Sequence, residues 1–414
     1  MESTLREILN FIEENDVKFI RLAFCDSFGI AKNISVMPSQ LERVIREGIS
    51  IDGSAIAGFQ DVAASDLFLY PDVSTLDILP WRPSNGRVIR FFCEIRYPDG
   101  TLYEKDCRSL LKQKLEEIRS RGWQLKSGLE CEFYAFEKQD ATVLQPIDSG
   151  GYLDIFPKDR GEDLRRDICL MLEEMGIIPE SSHHEQGPGQ NEIDFHFDDA
   201  LVSCDQYMTF HWVVESVAQA HDINACFLPK PLKNQSGNGL HIHLSLHHQG
   251  KNLFTSEKPE IFQHFTAGIL THIKEMTLFF NPIANSYERL GEFEAPSTIS
   301  WSHYNRSALI RIPAVHGEGL RLELRSPDPS CNAYLASYLL ICAGLEGIDE
   351  QLPLQSESIG NLNHHHESLD SLPQSLLEAV ECAKESPFLK KVLPASLLNY
   401  YLSIGQTLTK ADNK

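Results

Sequence analysis

Leu240-His241-Ile242-His243-Leu244-Ser245-Leu246 alternates apolar and polar residues without a break. A β-strand points successive side chains to opposite faces, so His241, His243 and Ser245 share one face and the four aliphatic residues share the other. Three further stretches repeat the pattern. Leu129-Glu130-Cys131-Glu132-Phe133 puts Glu130 and Glu132 together. Gln190 to Phe197 sets Glu192, Asp194 and His196 against Ile193, Phe195 and Phe197. Arg321, Glu323 and Arg325 alternate with Leu320, Leu322 and Leu324. An amphipathic sheet with its polar face in water would carry a mixture of Lys, Thr, Ser and Gln there. These positions are almost all Glu, His and Arg, the residues of metal and phosphate sites. The pattern predicts one curved sheet whose polar face lines a cavity.

The inventory of that face dictates its chemistry. Glu130, Glu132, Glu185, Glu192 and Glu323 carry too much negative charge to share a cavity unneutralised. Divalent cations relieve the charge, and carboxylates with at most one or two histidines suit Mg²⁺ or Mn²⁺ better than zinc. Arg306, Arg311, Arg321 and Arg325 can grip phosphate or carboxylate bidentately. Acids for metals and arginines for anions point to phosphoryl transfer from a nucleotide. The chain has no G-x-x-x-x-G-K-[ST] loop and no protein-kinase signature, so another nucleotide fold is implied.

Composition narrows the partners. The 414 residues are 42% hydrophobic and 23% charged, with a formal net charge of -22. That charge disfavours nucleic acid and anionic membranes, which both need basic patches. No apolar run is long enough to span a bilayer, and MESTLREILNFIEENDVKF lacks the apolar core of a signal peptide. Ten cysteines are scattered without a C-x-x-C pair. A reduced, cytoplasmic protein is expected.

Along the chain, a helix near 4–14, a strand over 17–26 and a second strand through Ile34-Ser35-Val36 come first. A helix then begins at Pro38 and ends at Gly48. With strands near 88–95, these form a small α+β domain over 1–105. Helices at 109–121, 161–175, 201–221, 260–280 and 332–347 alternate with short strands in a larger domain over 106–414. His364-His365-His366 lies in a polar stretch and is expected to face solvent.

Beyond these patterns, the sequence resembles the glutamine synthetase family, type I bacterial form, over nearly its whole length. The resemblance is carried by DGSAIAGF (52–59), SDLFLYPD (65–72), GLECEF (128–133), ESSHHEQGPGQNEIDF (180–195), FLPKPLKNQSGNGLHIHLSL (227–246), NPIANSYERL (281–290), EAP (294–296), NRSALIRIP (305–313) and RLELRSPDPSCNAYL (321–335). It implies an α+β fold with a small N-terminal β-grasp domain, a larger catalytic domain built on a curved antiparallel sheet covered by helices, and a homo-oligomeric ring with active sites between subunits. It implies ATP as co-substrate and a γ-glutamyl amide formed from glutamate and ammonia through a γ-glutamyl phosphate.

The resemblance also assigns roles. Glu132, Glu185 and Glu192 resemble the ligands of a first metal, and Glu130, His241 and Glu323 those of a second. Glu180, His243 and Ser245 resemble nucleotide contacts. Arg306 and Arg311 resemble the pair that stabilises the transferring phosphoryl group. Arg289, Arg325 and Gly237 resemble the glutamate seat. Glu294 resembles a flap carboxylate, Tyr152 a wall of the amine pocket, and Asp52 of a neighbouring subunit the group that binds ammonium and takes its proton.

Some positions depart from the family. Ala55 replaces a serine that lines the ammonium pocket. Ser236-Gly237-Asn238-Gly239 replaces the usual Asn-Gly-Ser-Gly, and the flap Leu290-Gly291-Glu292-Phe293-Glu294 is one residue shorter. Glu318 stands where many members carry lysine. Asn363 replaces a tyrosine that is adenylylated in some members, which implies that this chain is not modified there. Two alternatives therefore stay open: a γ-glutamyl ligase for another small amine or polyamine, and a non-catalytic structural or regulatory family member. The second predicts lost metal ligands or phosphate arginines, and none is lost.

Overall fold

Val17–Cys25 and Ala31–Val36 are rich in β-branched and aromatic residues and form a hairpin whose turn depends on Gly29. Gly29 stands at φ 83, and a Cβ there would come within 2.9 Å of the Asn332 Cα. The computed structural model describes residues 2–82, 85–138, 144–255, 259–315, 317–362 and 369–412. Asn363 and the histidines at 364–366 lie outside them.

The N-terminal elements are α1 (Glu2–Glu14), β1 (Val17–Cys25), β2 (Ala31–Val36), α2 (Leu41–Glu47), β3 (Ile49–Asp52), β4 (Asp66–Pro71), β5 (Asp77–Ile78) and β6 (Arg87–Arg96). Their sheet runs β2-β1-β6-β4-β3, with β5 beside β6. β1 and β6 pair in parallel and the other pairs are antiparallel. Ile8 and Ile12 of α1 and Leu41 and Val44 of α2 close one apolar core with Ile20, Leu22, Leu67, Leu69 and Phe91. This is the β-grasp arrangement that the resemblance implies. Gly48 ends α2 at φ 73, and Pro38 opens the short helical turn ahead of it, as the sequence predicts.

The rest of the chain carries α3 (Cys107–Ser120), β7 (Trp123–Glu137), α4 (Glu162–Glu174), β8 (Pro179–His184), β9 (Gln190–Phe195), β10 (Asp198–Asp199), α5 (Ala200–Ala220) and β11 (Ile223–Cys226). There follow β12 (Leu240–His248), β13 (Lys251–Asn252), α6 (Pro259–Phe280), β14 (Trp301–His303), β15 (Ile310–Ile312), β16 (Leu322–Leu324), α7 (Ala333–Asp349), α8 (Leu376–Glu385), α9 (Pro387–Val392) and α10 (Ala395–Asp412). The large sheet runs β14-β15-β16-β12-β7-β9-β8, with β10 and β11 on β7 and β13 on β12. Two expectations need correction. The sheet is antiparallel except where β14 and β15 pair in parallel. The strand expected to reach Phe197 ends at Phe195, so His196 and Phe197 leave the ladder and are exposed. Helices α8 to α10 were not expected from the sequence.

The apolar halves of the alternating strands do what their pattern demands. Leu129, Cys131 and Phe133 of β7, Leu240, Ile242 and Leu244 of β12, and Leu322 and Leu324 of β16 are buried in one core with α3, α5, α6 and α7. Each such aliphatic or aromatic side chain contributes about 1.5–3 kcal/mol. No described helix is long and apolar enough to cross a membrane.

Polar contacts fix the two sheets to each other. Arg108 of α3 is buried and donates Nε and Nη2 to Asp205 at 2.8 and 2.7 Å, and Nη1 to Asp72 at 3.2 Å. Asn332 at the start of α7 donates to the backbone oxygens of Asp26 and Ser27 in the first hairpin. Breaking a buried pair of the Arg108 kind strands a charge and costs about 3–5 kcal/mol.

Helices α6 and α7 touch backbone to backbone at Gly268 and Gly347. A Cβ on Gly347 would meet the His264 carbonyl oxygen at 2.1 Å, and one on Gly268 the Ala343 carbonyl oxygen at 2.1 Å. Backbone on both sides cannot move aside cheaply. Gly347→Ala is therefore expected to destabilise the chain by about 1–3 kcal/mol, despite alanine's better helix propensity. Thermal or urea unfolding checks this, and an unchanged or raised stability would contradict the close crossing.

Candidate active site

Sheet register assembles the polar face. β7 and β9 place Glu130 opposite Asp194 and Glu132 opposite Glu192. β12 sets His241 opposite Glu130, and β16 sets Glu323 opposite His243. β15 sets Arg311 opposite Glu323, and β8 sets His183 opposite Glu192. A one-residue slip in any pair would turn these side chains into the apolar core, so the aliphatic half of each strand enforces the site.

Two cavities open on this face. The larger, about 340 Å³, takes Glu130, Glu132, Glu185, Glu192 and His241 in its floor. Tyr152, Gly237, Arg289, Glu294, Arg306, Arg311 and Arg325 stand around it. The smaller, about 60 Å³, lies farther along β12, with His243, Ser245, Arg321 and Glu318 around it. His243 links the two: its Nε2 lies 2.7 Å from Glu130 and its Nδ1 accepts from Arg321 Nε at 3.1 Å.

The face is electrostatically divided. Around Glu130 and Glu323 the negative charge is matched. Glu323 is fully buried, yet Arg325 Nη1 reaches one oxygen at 2.5 Å and Arg311 Nη1 the other at 2.6 Å. Burial would raise the Glu323 pKa, but His243, Arg325 and His241 hold it down at about 2. Glu130 is only half-buried; burial would raise its pKa too, but His243 and His241 keep its carboxyl well below the usual range. The cost falls on His241, which burial and the Arg325 charge lower to about 4.

The other half is unbalanced. Burial and the Glu185 charge push Glu132 up to about 8. Burial and the charges of Asp194, Glu132 and Glu130 drive Glu192 well upward, and burial and Glu130 put Asp194 at about 6. Four carboxylates thus face one another with too little positive charge between them.

Those donors fit a hard divalent ion. Oxygen and nitrogen atoms of His183, Glu185 and Glu192 lie within 4.8 Å of one another. So do those of Glu130, Glu192 and His241, and those of Glu130, His243 and Glu323. Glu132 joins the cavity but none of these groups; its Oε2 accepts from Gly239 N–H at 2.9 Å and Gln190 Nε2 at 3.1 Å. His183 was missed in the sequence, although it precedes Glu185 by two residues on a strand of the same face.

Around the rim, Glu294 accepts from Gln186 Nε2 at 3.0 Å and lies 3.5 Å from Arg325 Nη2. Gln186 was also missed; its only signal is adjacency to Glu185. Arg289 is buried and donates to the backbone oxygens of Ser326 and Arg325 at 2.8 and 3.1 Å. Gly237 must be glycine there, since a Cβ would meet the Pro229 oxygen at 2.5 Å. Tyr152 is 53% exposed and stands edge-on to His183. Glu180 lines neither cavity and sits 3.9 Å from His196. Asp52, at the end of β3, also lines neither. Its carboxylate accepts from the Ser54 hydroxyl at 2.6 Å and amide at 2.9 Å, and the Ser54 hydroxyl lowers its pKa.

The raised carboxylates set a pH dependence. Glu132 titrates at an ordinary 4.5 when unfolded and at about 8 when folded, so its contribution to stability is full below 4.5 and is lost as pH rises through 8. A divalent cation competes with those protons. The melting temperature is expected to rise more with millimolar Mg²⁺ or Mn²⁺ at pH 8 than at pH 5.5. Equal or no shifts in a thermal scan would contradict the carboxylate cluster as a cation site.

Comparison with known proteins agrees with this architecture. Residues 16–98 match the glutamine synthetase β-grasp domain model and residues 104–410 the glutamine synthetase catalytic domain model. The chain is 42% identical to a glutamine synthetase of Clostridium saccharobutylicum, covering 97% of this chain and 94% of that one. It is 42% identical to a glutamine synthetase of Methanosarcina mazei, covering 97% and 93%. A solved GmaS/ADP complex superposes with a TM-score of 0.90 at 29% identity, covering 98% of this chain and 96% of that one. The chain belongs to the glutamine synthetase family and is an ATP-dependent ligase of that kind.

Proposed function

We propose that the chain joins glutamate to ammonia through a γ-glutamyl phosphate. The observation that carries this is the cavity's pairing of a carboxylate floor with an arginine rim, which suits a phosphorylated acid as its occupant. The relatives' name favours ammonia as the nitrogen donor.

In this reading Arg289, Arg325 and Gly237 seat glutamate with its γ-carboxylate toward the floor. ATP enters past Glu180, His243 and Ser245. The γ-carboxylate oxygen attacks the terminal phosphorus, the bond to the ADP oxygen breaks, and Arg306 and Arg311 hold the charge that develops. Glu132, Glu185 and Glu192, with His183, and Glu130, His241 and Glu323 would hold Mg²⁺ or Mn²⁺. Such ions neutralise the floor and polarise phosphoryl oxygens. Glu294 covers the activated acid.

Asp52 is the base. Its Ser54 contacts keep it ionised, so it can bind ammonium as a counter-charge and then accept its proton. Because Asp52 lines neither cavity of its own chain, the reading requires a neighbouring copy to supply it. Head-to-tail copies close into a ring. Tyr152 adds a wall to the amine pocket. We further infer a domain boundary near residue 105 and a reducing, cytoplasmic setting for the ten free cysteines.

A second reading, a bulkier amine, is favoured by Ala55 in the short turn after Asp52, where the removed hydroxyl leaves room. Phosphate release from ATP and glutamate with ammonia, methylamine, ethanolamine or putrescine separates the two. Ammonia is expected to give the highest kcat/KM. A clear preference for a larger amine moves the assignment to the second reading, and release that needs neither glutamate nor amine contradicts both. Asp52→Asn is expected to cut amide formation by about 10²–10⁴ while slow glutamate-dependent ATP hydrolysis persists. Full amide formation in that variant would show that the amine does not meet Asp52.

A further inference from the structure

The loop over the larger cavity is a tight turn. Glu292 N–H donates to Arg289 O, Ala295 N–H to Glu292 O and Gly291 N–H to Ala295 O, all at 3.0–3.1 Å. Phe293 at its tip has φ 54, a left-handed conformation that a bulky residue seldom adopts. The loop turns the Glu294 carboxylate inward to Gln186 and Arg325 and leaves the Phe293 ring on the outside, 42% exposed. A strained turn of this kind persists only where something outside it holds it.

Lys230 meets that ring. Its Nζ lies 4.8 Å from the Phe293 ring centroid, within cation–π range. The lysine is only 7% exposed, and its ammonium makes no hydrogen bond among the described residues. Three idle N–H donors in a buried ammonium are uncommon and ask for a reason. The backbone beneath them is fixed: Lys230 N–H donates to Asn285 Oδ1 at 2.8 Å, and Asn285 Nδ2 donates back to Lys230 O at 3.0 Å. Glu292 and Glu288 place negative charge near the ammonium, and Arg289 opposes them. A cation on a fixed backbone therefore points at the tip of the loop.

We propose that Lys230 is a positioning residue that latches loop 290–295 over the cavity through the face of Phe293, and so keeps water from the activated acid. The proposal rests on the ligase reading for its functional half. With the latch lost, water adds to the acyl carbon, the carbon–oxygen bond to phosphate breaks, and glutamate and inorganic phosphate return without an amide. Neither Lys230 nor Phe293 lines the larger cavity, so the latch acts through Glu294.

Hydrogen exchange of amides 290–295, followed by mass spectrometry, tests the latch without any activity. A cation–π contact shifts an opening equilibrium by roughly 2- to 30-fold. Lys230→Met and Phe293→Leu are each expected to speed exchange by about that factor. The double variant should be no faster than either single one, and Lys230→Arg should stay near the parent. Phe293 is largely outside the core, so Phe293→Leu keeps the test open even if Lys230→Met folds poorly. In turnover, Lys230→Met and Phe293→Leu should release more phosphate per amide formed, with KM for ATP unchanged. Unchanged exchange in Phe293→Leu, or additive effects in the double variant, overturns the latch. Faster exchange in the two variants, with a parent chain that shows no amine-dependent turnover, upholds the latch and removes the ligase reading instead.

Discussion

Glu130 faces Asp194, and Glu132 faces Glu192, across one pair of adjacent strands. Like charges directly opposed on a sheet destabilise it, and burial magnifies the effect. The leucines, isoleucines and phenylalanines on the reverse face hold this register, because slipping by one residue would bury the acids in the helical layer. The fold thus supplies from its core the energy that keeps an electrostatically unfavourable surface in place. Strained polar clusters that a core over-determines are where proteins place their chemistry.

The same face shows how one chain gives unlike tasks to similar side chains. Glu323 and Glu130 are balanced internally by two arginines and two histidines. Glu132, Glu192 and Asp194 are not, and their protons are held at unusually high pH. The first group is balanced by its own neighbours; the second keeps an excess of negative charge. In the proposed function Arg311 and Arg325 have two partners to serve, Glu323 in the free chain and an anion when one arrives. An incoming phosphate or carboxylate meets guanidinium groups already fixed in position, which reduces the ordering cost of binding.

Much of this was legible in the sequence because a strand's period is two. Glu130, Glu132, Glu192, His241 and Glu323 could be assigned to one face by counting alone, and the register puts them there. Counting failed where the backbone left the ladder. His196 and Phe197 follow the same alternation yet stand outside β9, since the chain must turn into β10 and α5. It also failed where a side chain works through its neighbour. His183 and Gln186 join the site only because β8 pairs with β9 and the following turn swings back over the floor. Lys230 carries no periodic signal, and its place against Phe293 arises from a loop crossing between distant segments. The parallel pairing of β14 with β15 is a property of topology that local pattern does not encode.

In the proposed reaction the acid, rather than water, takes the phosphoryl group. Glutamate labelled with ¹⁸O in its γ-carboxylate tests it directly. Turned over with ATP and ammonia, the chain should release inorganic phosphate carrying one ¹⁸O atom per molecule, read by mass spectrometry. Phosphate that leaves without label, while amide accumulates, would contradict the phosphorylated intermediate and the role of the arginine rim with it.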